Sequence, residues 1–140
     1  MDIEIQYRPI TEDDMSFILN SWLKSYRNSE FAKDLANPVY FENHSKIIQH
    51  LLAKSNVIIA CNPEELTQIY GYSVFEQYES VTILHYIYVK FPYRKFGIAK
   101  NLFSFAQPDP KEFTLISHIP RNLDKLSKKF NLIFDLYRII

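Results

Sequence analysis

A chain of 140 residues matches one ordinary domain, so one unit spanning 1–140 is expected, and 47% hydrophobic residues with 11 Phe and 10 Tyr exclude a disordered chain. Sixteen Lys and Arg against sixteen Asp and Glu leave no net field to attract nucleic acid or an anionic membrane, so any anion site must be local. A lone Cys61 excludes an intramolecular disulfide, no Cys and His spacing suggests a metal, and an acidic start with only short apolar runs predicts a cytoplasmic protein without export signal or membrane span.

Ile3, Ile5 and Tyr7 alternate with polar residues up to Pro9 and predict a first strand. Thr11 with Asp14 three residues on has the capping-box pattern, and Met15, Ile18, Leu19, Trp22, Leu23 and Tyr26 give the next helix a broad apolar face. Asn37-Pro38 breaks the chain before a second helix, marked by Ile47, Ile48, Leu51 and Leu52 and stopping near Ser55. Val57 to Cys61 and Gln68 to Tyr78 read as strands joined by the turn Asn62-Pro63-Glu64-Glu65. Val81 to Val89 is apolar or aromatic at almost every position, as a strand covered on both faces would be, with His85 the exception. Ile98, Leu102 and Phe105 space a helix from Gly97 to Ala106, closed by Pro108 and Pro110. Glu112 to Ile119 predicts a strand, Asn122 the cap of a helix burying Leu123, Leu126 and Phe130, and Leu132 to Ile140 a final strand. The order β-α-α-β-β-β-α-β-α-β predicts an α/β (α+β) fold, a mixed and mainly antiparallel central sheet with helices on both faces.

The chain has two glycines, Gly71 and Gly97, each expected where a side chain would be costly. Gly97 opens a helix directly after the central strand, where unpaired amides and the helix dipole attract phosphate, and Arg94 and Lys95 add formal charge. Arg94-x-x-Gly97-x-Ala99 resembles the hallmark of the GNAT superfamily of acyl-CoA N-acyltransferases: Gln or Arg, two residues, Gly, one residue, then Gly or Ala. The strand Leu84 to Val89, the spacing of Pro92-Tyr93 and the element order along nearly the whole chain extend the resemblance.

That resemblance implies acetyl-CoA as cofactor and an amine acceptor, either a small molecule or a protein. It implies that backbone groups around Ile87, Tyr88 and Val89 hold the pantetheine arm like an added strand, and that Arg94, Lys95, Phe96, Gly97, Ile98, Ala99 and Lys100 hold the pyrophosphate. Asn122 matches an Asn that often touches the cofactor, although a plain helix cap explains it nearly as well. Tyr26, Arg27 and Tyr40 fall on the acceptor side; Trp22 does too, but core packing is its better account.

A lysine acceptor is almost wholly protonated at neutral pH, so presenting it as a nucleophile costs about 4–5 kcal/mol, whereas an α-amine costs about 1 kcal/mol. His85 is the first candidate base, its alternative being a histidine satisfied inside the core. Glu76 and Glu79 are carboxylates able to act through water. The stretch Leu126 to Phe130 lacks the Tyr that in many family members protonates the departing thiolate, leaving Ser127, a water or Tyr137 as substitutes. The residues leave two functions open: an N-acetyltransferase, and a catalytically silent module that binds CoA or a protein.

Overall fold

The computed structural model describes residues 3–109, 111–119 and 129–140. Strands Gln6–Pro9 (β1), Asn56–Asn62 (β2), Glu65–Tyr78 (β3), Val81–Val89 (β4), Phe113–Ile116 (β5) and Asn131–Phe134 (β6) form one sheet in chain order. The first four are antiparallel neighbours, and β5 and β6 join in parallel. Helices Met15–Tyr26 (α1) and Asn37–Lys54 (α2) cover one face, and Ile98–Ala106 (α3) covers the other. This is the mixed, mainly antiparallel architecture expected from the sequence.

Local chemistry explains the helix starts. The Asp14 carboxylate accepts the Thr11 N–H at 2.8 Å and both Arg8 terminal nitrogens, at 2.7 and 2.9 Å, tying the entry of α1 to β1. Pro38 stands in the first turn of α2, where its missing N–H has no helical partner to lose. The inner faces of α1 and α2 bury Ile18, Trp22, Tyr26, Tyr40, Ile48 and Leu51 against Val57, Ile59, Tyr72 and Val74 of the sheet. Behind the sheet, Ile98 and Leu102 of α3 pack on Ala60, Tyr70 and Val89, and Phe103 and Ala106 on Phe75, Leu84 and Ile116. Cys61 is buried as a free thiol in the first of these cores.

Two details of β4 set its buried face and its free edge. Val74 pairs with Tyr86 and Phe75 with Leu84, so His85 is an extra residue, a bulge that turns it toward the α1–α2 face beside its neighbour Tyr86. In addition, β5 pairs with β4 only from Thr82 to Leu84, while β4 runs on to Val89.

The C-terminal part departs from expectation. The last strand ends at Phe134, and Leu136–Ile139 forms a 3₁₀ turn because the Asp135 carboxylate accepts the Tyr137 N–H at 3.1 Å and caps it. The helix expected from Asn122 through Leu126 lies outside the described residues; Phe130, expected at its end, stacks on Phe103 with ring centres 4.0 Å apart. Among the described residues no helix is long and apolar enough to cross a membrane, and no group of three or more metal-ligating side chains occurs.

Candidate functional site

The end of β4 has one bonded edge and one open one. The Lys90 N–H donates to the Tyr70 carbonyl of β3 at 2.8 Å. Since backbone groups of alternate residues share an edge, Tyr88 also faces β3, opposite Tyr72, and Ile87 and Val89 face the side on which β5 has already ended. The Val89 carbonyl accepts from Arg94 Nε at 2.9 Å. The Ile87 N–H and C=O and the Val89 N–H are therefore the groups this edge can offer to an extended ligand.

The chain leaves β4 through a 3₁₀ turn at Phe91–Tyr93, with the Arg94 guanidinium over the Phe91 ring at 5.6 Å. Arg94, Lys95, Ala99 and Lys100 are exposed, Phe96 is half-buried and Ile98 is sealed in the core, so Ile98 anchors the loop while its neighbours face solvent. Gly97 has φ +73°, a left-handed conformation in which it forms the cap of α3. The Asn101 N–H bonds the Gly97 carbonyl at 3.1 Å and closes the first turn of the helix, so the amides of Ile98, Ala99 and Lys100 precede it at the positive end of the helix dipole. A Cβ built on Gly97 would meet no atom within 4 Å. Gly97→Ala is thus expected to cost about 1–2 kcal/mol from backbone strain alone, a loss that urea unfolding would show.

On the opposite face, buried polar side chains form a continuous series. His85 is fully buried, with Nε2 at 2.6 Å from Glu76 Oε2 and Nδ1 at 2.6 Å from Ser117 Oγ. Ser117 Oγ lies 2.9 Å from His118 Nδ1, and His118 Nε2 lies 3.0 Å from His44 Nε2. Burial pushes the His85 imidazole down, with the Glu76 hydrogen bond partly opposing it. Burial also lowers His44, to about 4, and His118 further below its ordinary range. Burial alone would raise Glu76, but hydrogen bonds from Tyr78 and His85 and the nearby Lys54 ammonium reverse this and keep it a carboxylate. Glu76 lines an open cavity of about 220 Å³ with Lys54, Tyr78 and Arg138.

The acceptor-side candidates are packed rather than projecting. Tyr26 and Tyr40 stack on either side of the His44 ring, with centres 5.4 and 5.3 Å away, and are 3% and 1% exposed. Arg27 donates to Asn37 Oδ1 and to the carbonyls of Ala32 and Leu35, holding the α1–α2 connection, and lies over Tyr40. Trp22 stacks on Tyr86 at 4.9 Å, a core contact as its periodicity suggests. Ser127 and Asn122 lie outside the described residues, and Tyr137 is 80% exposed beside the Glu76 cavity.

Sequence reasoning passed over Ser117, His118 and His44. One signal for His44 was present: it stands four residues before Ile48 and seven before Leu51, on the apolar stripe of α2.

No protein-family model matches this chain, and no curated protein matches it. Solved structures do. A candidate acetyl transferase from Pyrococcus furiosus is 16% identical over 94% of this chain and 82% of its own, with a TM-score of 0.62. An acetyltransferase of the GNAT family from Staphylococcus aureus Mu50 is 18% identical, with a TM-score of 0.51; 74% of this chain aligns with 63% of that longer one. The PaiA N-acetyltransferase of Thermoplasma acidophilum, solved in complex with coenzyme A, is 14% identical over 76% of this chain and 71% of its own, with a TM-score of 0.51. At such identities a likeness concerns the fold, and the fold of this chain is that of the GNAT acyl-CoA N-acyltransferases.

Proposed function

We infer that the chain is an N-acetyltransferase that transfers acetyl from acetyl-CoA to an amine by direct attack. The observation that carries this reading is the meeting of an open β4 edge with a left-handed glycine turn at the start of α3. An extended pantetheine arm needs amide partners, and a pyrophosphate needs converging N–H groups and positive charge; Ile87 with Val89 fits the first, and Arg94 to Lys100 the second. The open space beside Gly97 suits close approach of a bulky phosphate. Bound acetyl-CoA supplies an activated acetyl thioester.

The chain's own groups then have distinct tasks. A strand amide near Val89 is the donor for the acetyl oxygen as it gains charge, leaving the Ile87 N–H and C=O to the pantetheine arm. Tyr88, bonded toward β3, holds that edge straight. Arg94 fixes the strand end through Val89, and Lys95 and Lys100 contribute charge. Asn122 is a further cofactor contact and Ser127 the donor to the departing thiolate. Tyr26, Arg27 and Tyr40 build the acceptor wall by holding α1 and α2 in place, and His85 acts through its hydrogen-bond partners.

A silent CoA-binding module is the second reading, favoured by the burial of His85 and the occupation of both its ring nitrogens. Thermal unfolding with acetyl-CoA tests the shared premise: at a hundred times the dissociation constant the ligand adds about 2.7 kcal/mol, and Gly97→Glu abolishes the gain. No shift with the unaltered protein would overturn both readings. Thiol release measured against a panel of amines and peptides separates them, since only an enzyme turns the cofactor over.

A further inference from the structure

The buried polar series has a direction. Glu76 is a carboxylate and accepts only, so His85 must donate to it from Nε2–H, which leaves the His85 Nδ1 lone pair to accept the Ser117 hydroxyl proton. Ser117 Oγ then accepts from His118 Nδ1–H, and His118 Nε2, now a lone pair, accepts from His44 Nε2–H. One anion thus sets the tautomer of three histidines contributed by α2, β4 and the segment after β5. Every link is 3.0 Å or shorter and every member at most 4% exposed.

The two ends differ. At one, Glu76 opens on the cavity shared with Lys54, Tyr78 and Arg138. At the other, His44 is wedged between Tyr26 and Tyr40 on the α1–α2 side, its Nδ1 lone pair being the only basic position the tautomer leaves. His118 lies between them, within ring contact of Tyr86, the residue next to Ile87 on β4.

We propose that Glu76, His85, Ser117, His118 and His44 act as one proton path, carrying the proton shed by the acceptor amine from His44 on α2 to Glu76 on β3. This rests on the acetyltransferase reading above. Each link makes one bond and breaks one. As the amine nitrogen bonds the acetyl carbon, its proton passes to His44 Nδ1 and the His44 Nε2 proton to His118 Nε2. The His118 Nδ1 proton passes to Ser117, the Ser117 proton to His85 Nδ1, and the His85 Nε2 proton to Glu76. Acetyl transfer from a neutral amine to a thioester conserves protons overall, so the same links run backwards and return the proton from His44 Nδ1 by way of the thiolate's own donor. The original tautomers return without any buried ring turning over. On this view His44 meets the acceptor amine, and His118, Ser117, His85 and Glu76 relay behind it.

The test begins with the tautomers, read by nitrogen-15 NMR of the imidazoles in the full chain. Unaltered protein should show Nε2–H at His85, Nδ1–H at His118 and Nε2–H at His44. In Glu76→Gln the Tyr78 hydroxyl holds the amide oxygen, so the amide N–H points at His85 and all three tautomers should invert together. In the double variant Glu76→Gln, Ser117→Ala only His85 should invert. Tautomers that respond independently, or do not respond, overturn the proposal, whatever the activity. In thiol-release assays Ser117→Ala should lower kcat about a hundredfold with KM within about twofold, with Ser117→Thr restoring most of it. Full activity of a folded Ser117→Ala protein overturns the path while leaving the acetyltransferase reading intact. If unaltered protein binds acetyl-CoA but releases no thiol with any amine, the path has no proton to carry, and proposal and reading fall together.

Discussion

Acidification from pH 7 to pH 4 should remove about 3 kcal/mol of folding stability, seen as a steep fall in the urea midpoint. The His44 imidazole sits at about 4 in the folded chain because burial disfavours its charged form, against 6.5 when unfolded. Its folded value is the lower one, so between these limits the unfolded chain binds the extra proton and stability falls with pH. The contribution is complete above 6.5 and is lost as pH falls toward 4; over that span one histidine is worth about 3 kcal/mol. His118 and His85 are also lowered, chiefly by burial, and act in the same direction. Glu76 extends the loss, since its folded value lies below 4.5 and its stabilisation disappears as pH falls through that value. A urea midpoint that stays level from pH 7 to pH 4.5 would contradict the buried, neutral state of these rings.

What could be read from sequence was local in the chain. Arg94, Gly97 and Ala99 sit within six consecutive residues, and the strand before and helix after them have their own periodicities, so the loop was visible as a unit. The apolar stripes of α1 and α2 likewise named Trp22, Ile48 and Leu51, all of which are buried. In α3 the spacing picked Phe105, yet Phe103 faces the core and Phe105 is 45% exposed, leaning on the Tyr7 ring at 5.3 Å. The partners of His85 were illegible for a different reason. Glu76 reaches it across the β3–β4 pairing, Ser117 across the β4–β5 pairing, and His44 only through His118, 74 residues away in the chain. Their alignment depends on the bulge that places His85 and Tyr86 on one face, and no residue type announces a bulge there. The final strand was overread because Leu136 continues the spacing of Leu132 and Phe134, while the Asp135 cap that stops it depends on side-chain geometry.

Gly71→Ala should cost about 3 kcal/mol and lower the melting temperature by roughly 10 °C. Gly71 lies in β3 opposite Val89, where a Cβ would come within 2.4 Å of the Tyr88 carbonyl oxygen and 3.1 Å of the Val89 Cα. Both are backbone atoms of a paired strand and cannot swing aside as a flexible side chain would. Relief requires β4 to move away from β3, which lengthens the ladder bonds at Tyr72–Tyr88 and at Lys90 N–H to Tyr70. The displacement falls on the segment that presents Ile87 and Val89 and carries the Arg94 bond. Stability and acetyl-CoA binding should therefore fail together in Gly71→Ala. In Gly97→Ala, with open space around the new methyl, the stability loss should be smaller and confined to backbone strain. Urea unfolding and acetyl-CoA titration of the two variants side by side measure this contrast. Equal stability losses would show that close packing of β3 on β4 does not govern the site edge.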